Sequence, residues 1–237
     1  PGTTDQVDVN VAVTEKSTGN MMLGAGFSST DGFVLSGSVS QNNLFGTGNR
    51  LALQINSGSV NTVYSLSYTN PYFTLDGVSL GYDIYRRDVD AQEQSDVGAF
   101  QTSTIGTGLR FGFPVNEKDF ISAGVTFEDT TVTTFANSPP QYIQFVEDYG
   151  NTNTTLLLSS SWSRDTRNDF LFPTSGMMQR LAAEWATPLA DLQYYKLSYQ
   201  LQNYFPFRDV FSLLLNGEVG YGRGLNDKPL PFFKNFY

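Results

Sequence analysis

The sequence predicts an all-β protein, a transmembrane antiparallel up-and-down β-barrel, and three observations carry that prediction. Apolar and polar residues alternate with a period of two along many short segments. Clusters of turn-forming residues separate those segments, and aromatic residues are plentiful at 14% while charged residues reach only 16%. Period-two alternation marks strands, because successive side chains point to opposite faces. No stretch approaches the ~18 consecutive apolar residues of a membrane helix. The mean hydropathy of −0.24 is no obstacle, since the lipid-facing and lumen-facing residues of a barrel average to near neutrality.

Eleven alternating runs follow one another along the chain, at roughly 20–28, 32–42, 50–57, 62–70, 77–88, 100–113, 119–130, 153–165, 177–187, 193–205 and 210–221. In the fifth, Val78, Leu80, Tyr82 and Ile84 alternate with Ser79, Gly81, Asp83 and Tyr85. In the sixth, Ile105, Thr107, Leu109, Phe111 and Phe113 alternate with Gly106, Gly108, Arg110 and Gly112. The tenth sets Tyr195, Leu197, Tyr199 and Leu201 against Lys196, Ser198, Gln200 and Gln202. Several runs reach the ~9–11 residues that cross a bilayer at a tilt. Helical periodicity is expected nowhere.

The connections alternate in character. Compact turns rich in aromatics, Pro and Gly lie at 43–49, 71–77, 114–119 and 205–209. Between them fall connections of uneven length, with long polar ones at about 88–99 and 131–152. Outer-membrane barrels show this asymmetry, with short periplasmic turns, longer extracellular loops and aromatic girdles at the interfaces. Arg110, Glu128, Glu184, Lys196 and Glu218 fall on the inward phase of their strands. A sandwich interior would bury such charges at a cost, whereas a hydrated lumen solvates them. The solvated lumen also explains the three glutamates better than a paired-carboxylate glycosidase site does.

Composition narrows the function. Fourteen Lys+Arg against 23 Asp+Glu give a formal charge of −9, which argues against nucleic acid as a partner. With no His and no Cys, Ser-His-Asp and Cys-His catalysis, His or Cys metal sites and disulfides are excluded. No catalytic, metal or cofactor site is expected, and the protein is read as a non-enzyme. The ends behave differently from the middle. Val7, Val9, Val11 and Val13 alternate with polar or small residues before the first membrane run, like the last strand of a soluble domain. Gly222 to Tyr237 contains two prolines and no alternation, which reads as a loop.

The segments Asn42-Asn-Leu-Phe-Gly-Thr-Gly-Asn49, Thr69-Asn-Pro-Tyr-Phe-Thr-Leu-Asp-Gly-Val-Ser-Leu-Gly81, Gly112-Phe-Pro-Val-Asn-Glu117 and Trp162 to Gly176, which contains Asp165, Arg167 and Pro173, stand out. They resemble the BamA family, the central subunits of the outer-membrane β-barrel assembly machinery. Lys228 to Tyr237 is similar to the ascending part of that family's sixth extracellular loop. The resemblance runs in order over essentially the whole chain. It implies a sixteen-stranded barrel behind five periplasmic POTRA domains. Residues 1–17 would then be the final strand of the last POTRA domain, and 18–237 barrel strands one to eleven with the start of loop six. It implies residence in the bacterial outer membrane, with the N-terminal side in the periplasm. The implied partners are outer-membrane lipids, unfolded β-barrel clients, accessory lipoproteins and periplasmic chaperones.

On that basis the first strand, with Met21, Met22, Leu23, Gly24, Ala25, Gly26 and Phe27, is expected to act as a lateral gate that pairs with client strands. It reads as short, and its inward phase of Met22, Gly24, Gly26 and Ser28 offers little for cross-strand packing. An alternative for Gly24 and Gly26 is relief of crowding in a curved wall, as for Gly106 and Gly108. Asp165, Arg167, Pro173 and Gly176 are expected to form a pinned periplasmic turn rather than a charged functional cluster. The competing function is a passive porin-like channel, in which the lumen charges would set permeation.

Overall fold

The computed structural model describes residues 9–14, 17–29, 32–92, 99–207 and 211–236. Eleven strands form one antiparallel sheet in sequence order: β1 (Gly19–Ser28), β2 (Gly32–Gln41), β3 (Arg50–Ser57), β4 (Asn61–Asn70), β5 (Ser79–Asp90), β6 (Phe100–Pro114), β7 (Asp119–Thr134), β8 (Thr152–Asp165), β9 (Gly176–Ala186), β10 (Tyr194–Phe207) and β11 (Phe211–Gly224). Each strand pairs with its sequence neighbours, and among the described residues β1 and β11 each keep one edge without a strand partner. All eleven alternating runs are strands, and the all-β architecture read from them holds. The structure carries β7 and β11 several residues beyond the predicted ends, into polar stretches where alternation fades but ladder pairing continues.

Register sorts the two faces. One row across the sheet reads Tyr82, Leu109, Val125, Leu158, Trp185, Tyr195. The row on the opposite face reads Gly81, Arg110, Gly124, Ser159, Glu184, Lys196, Gly222. The apolar face is open to the surroundings from β1 to β11, with Leu23, Leu35, Ile84, Ile105, Leu197 and Val219 all exposed. A water-facing surface does not tolerate an apolar band of that extent, and a bilayer requires one.

Two expectations need correction. The connection 131–152 holds a helix, α1 (Pro140–Tyr149). Its stripe of Tyr142, Phe145, Val146 and Tyr149 has helical spacing, Pro140 occupies the first turn where no N–H is needed, and Gly150 closes it at φ +83°. That short stripe is flanked by prolines and polar residues, whose pattern predicts a loop. The first strand is also not short, since its ten residues equal β2 and β4 and exceed β3.

The helix covers the end of the sheet where the long connections gather. Tyr142 and Phe145 pack with Ala91, Phe100, Val132, Ala186, Leu192, Tyr194 and Phe232 into one buried apolar cluster. Phe232 lies in a short 3-10 turn, Phe232–Lys234, of the segment that follows β11, so that segment folds back onto the inner face. The predicted loop after β11 is confirmed as non-strand from Leu225 onward, and Tyr237 lies outside the described residues.

Glycine on the inner face has a local cause at Gly106. It stands between Tyr85 and Glu128 in register, and a Cβ there would collide with the Tyr85 ring. The Tyr85 ring therefore lies over the glycine, and its hydroxyl donates to Glu128 Oε1 at 2.6 Å. Gly106→Val should destabilise the complete protein by about 1–3 kcal/mol, the cost of overpacking a filled site. Ile105→Val on the lipid face should cost less, and urea titration in lipid vesicles followed by tryptophan fluorescence compares the two.

Candidate functional site

Two regions carry the residues singled out from sequence: the free edge of β1 and the inner wall. In β1, Met21, Met22, Leu23, Gly24, Ala25, Gly26 and Phe27 are all exposed, and among the described residues β2 is the strand that pairs with them. Met21, Leu23, Ala25 and Phe27 share the lipid face with Val39, Gly37, Leu35 and Phe33. Met22, Gly24 and Gly26 face inward opposite Ser38, Ser36 and Val34. A Cβ on Gly26 would meet nothing within 4 Å, and one on Gly24 would meet only the Ser36 hydroxyl at 2.7 Å. Crowding is thus found at Gly106 and, through one hydroxyl, at Gly24, and not at Gly26 among the described residues. Beside the edge, the missing side chain at Gly37 helps leave a shallow apolar hollow of about 530 Å³, bounded by Leu23, Ala25, Leu35 and Ile55.

The five charges read as inward do share the inner phase. Arg110, Glu184 and Lys196 lie in one register row, and Glu218 sits beside Gln200, whose other neighbour is Arg180. Arg110 reaches Asp83 at 3.6 Å, with more than half its side chain exposed, so the pair adds little stability. Glu128 departs from the expectation of a solvated charge. It is only 7% exposed, and its second oxygen accepts from Lys234 Nζ at 2.7 Å. The folded-back segment desolvates it, which the sequence of β7 could not announce.

That segment meets the wall at several points. Phe232 stacks on Tyr142 at 3.8 Å between ring centres and meets the rings of Phe100 and Phe145 edge-on. Lys196 Nζ stands 4.2 Å from the centre of the Phe236 ring. Lys228 Nζ donates to the backbone carbonyl of Asp191 at 2.8 Å. Sequence reasoning missed Tyr85, which meets Glu128 through the register of β5 to β7, and Lys234 and Phe232, which meet Glu128 and the ring cluster only after the chain turns back beyond β11. The phenylalanines of 228–237 were the available signal, since a stretch so aromatic in a polar loop needs something to pack against.

At the opposite end, the turn after β8 is pinned as expected. Asp165 and Arg167 form a bidentate ion pair, with Nη2 to Oδ2 at 2.6 Å. Gly176 adopts φ +96°, and a Cβ there would strike the Thr166 backbone carbonyl. Pro173 lies within the same turn, just before Thr174 and Ser175, whose backbone N–H groups donate to the Asn168 side chain ahead of β9. The charges thus close a turn, and the bond from Asp165 to Arg167 is spent internally. Residues 9–14 take no strand partner among the described residues, with Val9, Val11 and Val13 exposed, and residues 1–8 lie outside them.

An apolar outer face, a polar inner face and turns of unequal length define the wall of an outer-membrane β-barrel. The Omp85 superfamily domain matches residues 43–237. Outer membrane protein assembly factor BamA of Neisseria meningitidis serogroup B is 40% identical over all of this chain, which spans 31% of that relative. BamA of Nitratidesulfovibrio vulgaris is 28% identical over 73% of the chain and 21% of its own length. The crystal structure of BamA from Haemophilus ducreyi lacking POTRA domains 1–3 superposes with a TM-score of 0.86 at 25% identity, over 94% of this chain and 44% of that one. CdiB from Acinetobacter baumannii, at 11% identity and a TM-score of 0.51, shares the fold alone. The chain belongs to the Omp85 superfamily, as a barrel segment of the BamA kind, and its place is the bacterial outer membrane. It spans about a third of its Neisseria relative.

Two outcomes follow from the geometry of the loops and turns. Gly176→Ala should cost about 1–3 kcal/mol, the usual range for a non-glycine residue forced into strained backbone, measured by thermal unfolding in vesicles. Asp191 accepts from the Thr154 hydroxyl and backbone N–H at 2.7 and 2.8 Å, and these bonds hold its carboxyl below the usual aspartate range. A depressed carboxyl contributes stability above its unfolded value and loses it as pH falls through the folded one. The loop between β9 and β10 should therefore stay protected at neutral pH and become exchange-labile only under strong acid, as amide exchange at Thr154 would report. Asp191→Asn should weaken that acid response.

Proposed function

We propose that this segment is the gate-bearing wall of an assembly factor that folds and inserts β-barrel proteins into the outer membrane, with client strands pairing along the free edge of β1. The observation that carries the reading is Gly26, an inward glycine in an edge strand with open space around it. A glycine that nothing crowds weakens its strand without a packing return, since it adds backbone entropy and removes a cross-strand contact. An edge in hydrocarbon leaves N–H and C=O groups unpaired at several kcal/mol each. An incoming strand satisfies them by β-augmentation, and weak native closure lets it compete. No covalent bond is made or broken, in keeping with a chain that has neither His nor Cys.

The Neisseria relative, named as an assembly factor, supports this reading over the whole chain. Residues 1–17 would belong to a periplasmic POTRA domain and 18–237 to the barrel. Clients, outer-membrane lipids, accessory lipoproteins and periplasmic chaperones are the partners such a machine needs. A passive channel fits less well, because segment 228–236 lies across the inner wall where a pore would have to be clear.

The test places cysteine at Ala25 in the complete protein and asks for a disulfide with the terminal strand of a stalled client barrel. An adduct is expected at Ala25 and absent from an equivalent lipid-face position in mid-wall, such as Val125. Failure to trap the client at Ala25 while the complex still assembles would remove the proposal.

A further inference from the structure

We propose that the Glu128–Lys234 ion pair is a latch: it holds segment 228–236 folded back across the inner wall, and its release lets that segment swing out and open the long-loop end of the lumen. The inference is independent of how β1 is used.

The wall is shaped to receive the segment. On β11 the inward positions Gly220, Gly222 and Gly224 alternate with outward residues. A Cβ on Gly220 would approach Phe236 to 2.7 Å, one on Gly222 would approach Leu230 to 3.2 Å, and one on Gly224 would overlap the Lys228 carbonyl. Three glycines in phase thus clear a track along which the chain doubles back on its own strand. Beyond the track, Phe236 lies by Lys196 on β10, Lys234 reaches Glu128 on β7, and Phe232 enters the cage of Phe100, Tyr142 and Phe145.

These contacts differ in kind. Loss of ring packing exposes apolar surface but strands no buried charge. Loss of the ion pair does. Glu128 is nearly buried beneath the segment, with one oxygen taken by the Tyr85 hydroxyl and the other by Lys234. Withdrawing Lys234 while the segment still covers Glu128 leaves a buried carboxylate with the Tyr85 hydroxyl but without its ion-pair partner, which is strongly unfavourable. The segment must therefore either stay seated with the pair intact or leave far enough to admit water to Glu128. Two states with little between them make a latch. The Tyr85 hydroxyl fixes the carboxylate in place for Lys234, and the absence of a side chain at Gly106 lets Tyr85 reach it.

The test uses the complete protein in planar bilayers and in vesicles, with the heat-dependent gel shift of a folded barrel as control. Channel opening reports the lumen, and trypsin cleavage after Lys234 reports the segment, since the Lys228–Pro229 bond resists that protease. E128Q should raise both the opening frequency and the cleavage rate about tenfold, the loss of one charged hydrogen bond. Y85F should raise both by less, and it replaces E128Q should that variant not fold. K234E should open as E128Q does, and the swap E128K/K234E should return openings toward the parent level. Folded E128Q or Y85F protein with parental openings and parental cleavage would overturn the latch, as would a swap no quieter than its single variants.

Discussion

The fold depends on the demand that every backbone polar group in hydrocarbon find a partner. No water reaches the lipid-facing wall, so each N–H and C=O must be paired within the sheet. The continuous ladder from β1 to β11 meets that demand strand by strand, with pairing that runs the length of each neighbour. Among the described residues β1 is paired by β2 alone, and its inner face carries little side-chain packing.

Glycine has two different physical roles on the inner wall. At Gly106, Gly220 and Gly224 the absent side chain is a space that another group fills: the Tyr85 ring, the Phe236 ring and the backbone of Lys228. At Gly26 the space stays open. The first kind stiffens the wall by letting large groups lie flat against it. The second kind offers its strand no such contact among the described residues. Composition counts both as glycine, and only coordinates separate them.

The wall is accordingly uneven in how it is braced. From β5 to β11 the inner face is crossed by the Tyr85–Glu128–Lys234 chain of bonds, by the ring cluster around Phe232 and by Lys196 on Phe236. Every ion pair among the described residues lies at or beyond β5. Strands β1 to β4 carry mainly small polar side chains inward, such as Ser36, Ser38, Asn56, Ser65 and Ser67, and add to the ladder only scattered bonds such as Ser67 to Asp83 and Ser36 to the Gly24 carbonyl. Side-chain bracing of the inner face thus thins from β5 toward β1 among the described residues.

The sequence by itself determined the strands, the sides they face and the turns that join them. Period-two alternation is a local property, and a bilayer on one flank with water on the other enforces it residue by residue. That is why runs such as Ile105–Phe113 could be placed within a residue or two, and why Arg110, Glu184, Lys196 and Glu218 could be assigned inward. The Asp165–Gly176 turn was legible for the same reason, since its Pro and Gly act on their own backbone. Helix α1 was missed although its stripe is present, because ten residues between prolines and a glycine give a faint signal in a β-rich chain. Only the tertiary structure decided that Glu128 is buried and paired. Its partners Tyr85 and Lys234 lie 43 and 106 residues away in the chain, and no local pattern encodes a contact made when the segment after β11 turns back.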